Sequence, residues 1–171
     1  MTGFVQIYTG DGKGKTTAAL GLAIRAAGAG LRVFIAQFLK CSASSELKSL
    51  SRLAPEITIL QYGRPSFIEG KPTPEDIAAA ERGLREARTA MLSGKYDVLI
   101  LDEINIAIHF HILSIESVLT LIDEKPEGVE LILTGRNADS RLIARADLVT
   151  EMRNVKHYFK KGIPARTGIE E

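Results

Sequence analysis

Short apolar runs alternate with longer apolar segments of helical spacing along most of the chain. Residues 4–9 (Phe-Val-Gln-Ile-Tyr-Thr) form a β-rich run stopped by Gly10-Asp11-Gly12-Lys13-Gly14. An Ala/Leu/Ile-rich segment from Thr16 to Ala27 predicts a helix, with Gly28 and Gly30 as stop signals. Gly21 inside it costs about 1 kcal/mol against Ala, so a close backbone approach is expected there. Residues 31–38 and 57–62 read as strands. The five serines in 40–54 between them predict a loop or short helix.

Residues 63–72 read as an irregular loop. Thr73-Pro74-Glu75-Asp76 then carries a helix start: a hydroxyl cap, Pro at the first position and acids in the first turn. Ile77, Ala80, Leu84, Ala87 and Met91 recur at spacings of three and four, a buried stripe on a helix ending at Gly94. The apolar strand 98–101 runs into Asp102-Glu103. A helix over 114–123, a strand over 129–133, a helix over 137–146 and a last strand over 148–152 complete the series. Strands alternating with helices and apolar on both faces predict an α/β fold, a mostly parallel sheet flanked by helices. One domain is expected over 1–171, with 153–171 as a C-terminal tail packing on or near the site.

Composition narrows the class without naming a function. With 171 residues, 45% hydrophobic and 25% charged, the chain reads as one globular domain rather than a disordered or fibrous one. Twenty-two basic against 21 acidic side chains leave a net charge of +1, so no nucleic-acid or membrane partner is expected. The single Cys41 excludes an intramolecular disulfide and a cysteine metal cluster, which fits a cytoplasmic location. No apolar run approaches a membrane span, and no signal peptide is visible.

The chemistry concentrates in Gly10-Asp11-Gly12-Lys13-Gly14-Lys15-Thr16-Thr17, between a predicted strand and a predicted helix. Backbone N–H groups of such a turn and the positive end of the helix dipole make an anion cradle. Lys15 reaches phosphate oxygens there, and the Thr16 hydroxyl suits Mg²⁺. The standard pattern places four residues between its first Gly and the Gly-Lys-Thr; here Gly10 leaves three, and the full distance lands on Thr9. The front half of the loop is therefore altered.

Asp102 and Glu103 end an apolar strand expected to neighbour the phosphate-loop strand, where P-loop proteins hold their metal directly or through water. The set predicts a P-loop NTPase (RecA-like) architecture and a site for an Mg-nucleoside triphosphate. It leaves open a P-loop ATPase, a small-molecule kinase or a slow nucleotide-dependent switch.

Further strings resemble one family, the ATP:corrinoid adenosyltransferases of the CobA/CobO/BtuR type. They are the phosphate loop with Ala18-Ala19, Gln37-Phe38-Leu39-Lys40, Leu101-Asp102-Glu103-Ile104-Asn105, Leu133-Thr134-Gly135-Arg136, the run from Ala146 to Arg153, Lys156-His157 and Gly168-Ile169-Glu170. They follow family order over nearly the whole chain.

The resemblance implies transfer of the 5′-deoxyadenosyl group of ATP to the Co(I) centre of a corrinoid such as cobalamin, releasing triphosphate. ATP is described in the family with its phosphates reversed along the loop, in agreement with the altered front half. Lys15, Thr16 and Glu103 are implied as catalytic. Gly12, Gly14, Lys15, Thr16 and Thr17 are implied to hold the triphosphate, with Gly10, Asp11 and Lys13 also implied as nucleotide-binding, and Thr16, Asp102 and Glu103 to hold or orient Mg²⁺. Asn105 reads either as a polar contact to nucleotide or corrinoid or as an Asx turn opening the next helix. Arg136 reads either as a phosphate contact or as a surface ion pair. The resemblance further implies a homodimer and an electron donor, a flavoprotein reductase.

Departures fall mostly on the corrinoid side. The family has a Gly-Phe-Thr-Trp-like aromatic segment; here the region is Tyr62-Gly63-Arg64-Pro65-Ser66-Phe67 and the chain has no Trp. Phe67 is the first aromatic candidate for the corrinoid face and Tyr62 the second, either alternatively a loop anchor. Cys41 stands where the family has Gly, and the chain starts only a few residues before its first strand, without the extension that covers the corrinoid in relatives. His109 and His111, at i,i+2, do not share a helical face and are expected as packing or rim residues. The tail carries Arg153, Lys156, Lys160, Lys161 and Arg166, expected either to approach the substrates or to lie solvated.

Overall fold

Six strands, β1 (Val5–Thr9), β2 (Val33–Phe38), β3 (Ile57–Tyr62), β4 (Val98–Asp102), β5 (Glu130–Thr134) and β6 (Leu148–Glu151), form one parallel sheet. Their order is β3-β2-β4-β5-β1-β6. The computed structural model describes residues 2–41, 44–64 and 71–170. Helices α1 (Lys15–Gly28), α2 (Ser45–Leu50), α3 (Pro74–Leu92), α4 (Ile104–His109), α5 (Ile115–Asp123) and α6 (Ser140–Ile143) connect the strands.

Alternation along the strands sends side chains to two cores. Val33 and Ile35 of β2, Ile100 of β4 and Ile132 of β5 pack with Ala19, Ala23 and Ala26 of α1. Phe34, Ala36 and Phe38, with Leu99, Leu101, Leu131 and Leu133, pack on the opposite face against α3, α4, α5 and α6. The middle strands are therefore covered on both faces, as parallel strands joined by crossover helices must be. At the edge the expectation of two covered faces fails, since all four residues of β6 are exposed.

Local sequence signals explain several boundaries. Thr73 and Asp76 form a reciprocal capping box with Pro74 behind it, so α3 starts where its sequence predicts. Ser114 caps α5 by accepting from the Ser117 N–H. Other elements differ from their expected form. The helix expected over 137–146 shrinks to Ser140–Ile143, because Asp139 takes the cap and accepts from the Arg141 N–H at 2.8 Å. Gly21 meets no atom within 4 Å of a Cβ position, so no close approach explains it.

The largest correction concerns strand order. β4, which ends in Asp102, does not adjoin β1; β5 lies between them. The phosphate loop and the acidic strand end thus face each other across a third strand, whose own last residue, Thr134, stands in the gap.

Candidate active site

The phosphate loop leaves β1 and enters α1 through a backbone only glycine accommodates. Gly14, the cap of α1, has φ +121°. At Gly12 a Cβ would lie 2.6 Å from the Met152 carbonyl oxygen and 2.8 Å from its carbon, because the Gly12 N–H donates to that oxygen. The front half of the loop is thus tied to the end of β6. Gly10 presses on the same residue. Asp11 and Lys13 are exposed on the loop, and Thr17 is exposed in the first turn of α1.

Lys15 is buried, and its ammonium donates to the carbonyls of Gly10 at 2.6 Å and Gly12 at 2.7 Å. Burial pulls its pKa below the ordinary lysine value, while the charge of Glu103 pushes the other way and Arg136 adds to the lowering. A desolvated cation held by its own loop is a preorganised point charge for a phosphate oxygen.

Across the gap, the Thr16 hydroxyl donates to Asp102 Oδ1 at 2.8 Å. Asp102 is 1% exposed and saturated with donors. Thr134 Oγ1 donates to the same Oδ1 at 2.7 Å. Gln37 Nε2 at 3.1 Å and Lys40 Nζ at 2.9 Å donate to Oδ2. Burial lowers the Lys40 pKa, but the charge and hydrogen bond of Asp102 outweigh it and hold the ammonium above its usual value. A buried carboxylate with this donor set is an anchored anion.

Glu103 follows in the left-handed region at φ 62°, a conformation costing of order 1 kcal/mol or more for a residue with a Cβ. Its N–H donates to Thr134 Oγ1 at 3.0 Å, so Thr134 ties both acidic residues to β5. Burial raises the Glu103 pKa and the Asp102 charge raises it further, against Lys40, Lys15 and Arg136. Arg136, just past β5, is exposed and acts electrostatically on Lys15 and Glu103. It makes no ion pair among the described residues.

Asn105 sits buried in the first turn of α4 and donates through Nδ2 to the Gly135 carbonyl at 3.2 Å. Glu103 caps α4, so the Asx-turn alternative for Asn105 falls. Asn105 Oδ1 is buried without a hydrogen-bond partner among the described residues. Such an acceptor calls for a donor from outside the chain.

The C-terminal tail reaches the loop. Lys13 Nζ donates to the Ile169 carbonyl at 2.6 Å and pairs with Glu170 at 3.2 Å. Tyr158 and Arg166 also hydrogen-bond Glu170, and the Arg166 guanidinium stands 4.9 Å over the Tyr158 ring. The Arg166 hydrogen bond holds the Glu170 carboxyl well below the usual range.

Other expected site residues lie elsewhere. Tyr62 is 3% exposed, packs beside Phe38 and donates to Glu86 at 2.6 Å, which makes it a core anchor. Phe67 lies outside the described residues. His109 and His111 are exposed and line a cavity of about 580 Å³ with Asn137, Asp139 and Arg141. They are rim residues, not packing ones. Thr134, Gln37 and Lys40 carry Asp102, yet sequence patterns assign them no role. Their signals are a polar residue at or near the end of an otherwise apolar strand and their place in the strings Gln37-Phe38-Leu39-Lys40 and Leu133-Thr134-Gly135-Arg136.

Comparison with known proteins places this arrangement. A family model described as ATP:corrinoid adenosyltransferase BtuR/CobO/CobP matches residues 1–170. A corrinoid adenosyltransferase of Pseudomonas aeruginosa is 36% identical over 169 residues, covering 98% of this chain and 83% of that protein. One from Escherichia coli is 32% identical, covering 98% and 85%. Among solved structures, a KaiC-like protein from Pyrococcus horikoshii aligns with a TM-score of 0.56 at 22% identity, over 88% of this chain and 73% of that one. That likeness shows the shared RecA-like fold alone.

Proposed function

The chain belongs to the ATP:corrinoid adenosyltransferases, and from that premise we propose how its own residues carry the reaction. The substrates are ATP and a corrinoid. The electron pair of Co(I) attacks C5′ of ATP, the C5′–O bond breaks, and its electrons leave with triphosphate. The nucleophile carries no proton, so no side chain serves as general base. The chain's work is to hold C5′ in line with cobalt and to stabilise charge on the departing triphosphate.

The observation that carries this assignment is the Thr16–Asp102 hydrogen bond, which brings phosphate loop and acidic strand end to one point. Lys15 and the loop N–H groups of Gly14, Thr16 and Thr17 hold the triphosphate, with Gly12, tied to Met152, and Gly10, Asp11 and Lys13 shaping the front of the loop. Arg136 binds the nucleotide from the rim, and the free Oδ1 of Asn105 accepts a hydrogen bond from it. Phe67, outside the described residues, is the aromatic side chain proposed for contact with the corrinoid.

The donor set fits Mg²⁺. Thr16 and Glu103 would offer hard oxygen atoms, with Asp102, whose two oxygens already accept four hydrogen bonds, orienting the Thr16 hydroxyl; that set is too small to enclose a cation and would leave places for phosphate and water. When bound, Mg²⁺ supplies neutralisation of the charge that grows on the triphosphate. Asp102 stays fixed by Thr16, Thr134, Gln37 and Lys40 throughout.

The partners and location proposed with this chemistry are a second copy of the chain, a flavoprotein reductase that delivers the electron, and the cytoplasm. Among the described residues no helix is long and apolar enough to cross a membrane.

The test is product identity. With Mg-ATP, cobalamin and a strong reductant, the protein should yield triphosphate and a light-sensitive cobalt–carbon product. ADP and phosphate released regardless of corrinoid would contradict the proposal and favour an ATPase or kinase.

A further inference from the structure

Three strands carry one row of polar side chains at or next to their C-terminal ends. The register pairs Gln61 of β3 with Gln37 of β2, and Gln37 with Asp102 of β4. Residues in register project to the same face. That face is the α1 side, because Ile35, Ile59 and Ile100, two positions earlier, pack in the core under α1. The row therefore points toward the helix that starts with Lys15 and Thr16.

Within the row the hydrogen bonds have one direction. Asp102 as a carboxylate only accepts, so Gln37 must present its NH₂ to Oδ2, at 3.1 Å. The Gln37 carbonyl is then turned to β3, where Gln61 Nε2 donates to it at 3.0 Å. A flipped Gln37 amide would set two oxygens against each other at Asp102 and two NH₂ groups against each other at Gln61. Gln37 is 0% exposed, so water offers no substitute partner. Lys40 reaches the same Oδ2 from the rim but is a flexible, partly exposed cation. Gln37 is the rigid member of the pair.

We infer that Gln37 is a positioning residue for the metal site: oriented by Gln61, it fixes the Asp102 carboxylate so that Oδ1 meets Thr16, and thereby sets the affinity of the ATP complex for Mg²⁺. The inference rests on the assignment of Mg²⁺ to Thr16 and Asp102. It assigns a task to Gln37, which touches neither phosphate nor metal. Partners behind metal-binding side chains commonly alter metal affinity roughly ten- to a hundredfold when removed.

The test uses Gln37→Met, which keeps length and volume but removes donor and acceptor. ATP binding is titrated calorimetrically in EDTA and at graded Mg²⁺, alongside turnover at graded Mg²⁺. Wild-type protein must first show Mg²⁺-dependent ATP binding; without that dependence the metal assignment itself fails. Given it, Gln37→Met should raise the half-saturating Mg²⁺ concentration by about ten- to a hundredfold. Turnover at saturating Mg²⁺ and ATP binding in EDTA should stay close to wild type. An unchanged Mg²⁺ requirement overturns the inference, as does an equal loss of ATP binding with and without Mg²⁺. Should the buried substitution prevent folding, Gln61→Met tests the same row from the half-buried end. A smaller shift in the same direction supports the relay, and none refutes it.

Discussion

Thr16 Oγ1 and Asp102 Oδ1 are 2.8 Å apart although β4, which ends in Asp102, and β1, which leads through the loop to Thr16, are separated in the sheet by β5. Contact across that gap needs the rim of β5 to be polar, and Thr134 meets the need by donating to Asp102 Oδ1 at 2.7 Å. The phosphate-binding helix start and the acidic strand end are thereby held as one unit.

Removing the hydroxyl breaks that unit at its centre. Thr16→Ala should lower kcat/KM for Mg-ATP by roughly a hundred- to a thousandfold, the scale of losing one preorganised electrostatic group. Thr16→Ser, which keeps the hydroxyl, should retain most of the activity. Steady-state kinetics at limiting and saturating ATP measure both, and equal losses in the two variants would show that the methyl group matters instead.

Gly12 is required by backbone, not by a movable side chain. A Cβ there would meet Met152 O, Met152 C and Arg153 C at 2.6, 2.8 and 2.9 Å. Gly12→Ala should therefore cost about 1–3 kcal/mol in urea unfolding and weaken ATP binding. Adding Met152→Ala should give no rescue, since the clash is with main-chain atoms.

Gly83 in α3 sets two effects against each other. Alanine gains about 1 kcal/mol of helix propensity. Its Cβ would lie 2.6 Å from Tyr62 Cγ and 3.0 Å from Phe38 Cε1, on a ring pinned by the Tyr62–Glu86 hydrogen bond. Overpacking of about 1–3 kcal/mol should win, so Gly83→Ala should lower the Tm.

Asp76 gives the fold a dependence on pH. Its carboxylate is held by Arg64 at 2.7 and 2.9 Å and by the Thr73 cap, and the Arg64 hydrogen bonds bring its pKa down from 3.8 to about 2. A folded pKa below the unfolded one means stabilisation that is full above about pH 4 and is lost as pH falls toward 2. Asp76→Asn should cost about 1–2 kcal/mol at neutral pH. Urea unfolding at several pH values should show this difference shrinking between pH 4 and pH 2.

Much of the architecture is legible in the chain because local signals agree with burial. The apolar runs of β2, β4 and β5 lie where the sheet is covered on both faces, and the Thr73–Asp76 box opens α3. Strand order is not legible: a residue pattern reports how buried a strand is, not which neighbour it takes. The insertion of β5 between β1 and β4, and with it the role of Thr134, follows only from pairing. α4 is likewise hidden, since its six residues carry no hydroxyl cap and start from Glu103 in a left-handed conformation. The phosphate loop itself is plain in the sequence. The tie of Gly12 to Met152 joins residues 140 positions apart and has no local signal.

In the proposed transfer the bond broken lies between C5′ and oxygen. ATP carrying ¹⁸O at the 5′-bridging position, turned over with reduced cobalamin, tests it most directly. The label should appear entirely in triphosphate, seen as an isotope shift in the ³¹P spectrum of its terminal phosphorus. Label retained on adenosine or on ADP would mean cleavage at phosphorus, and would contradict the mechanism.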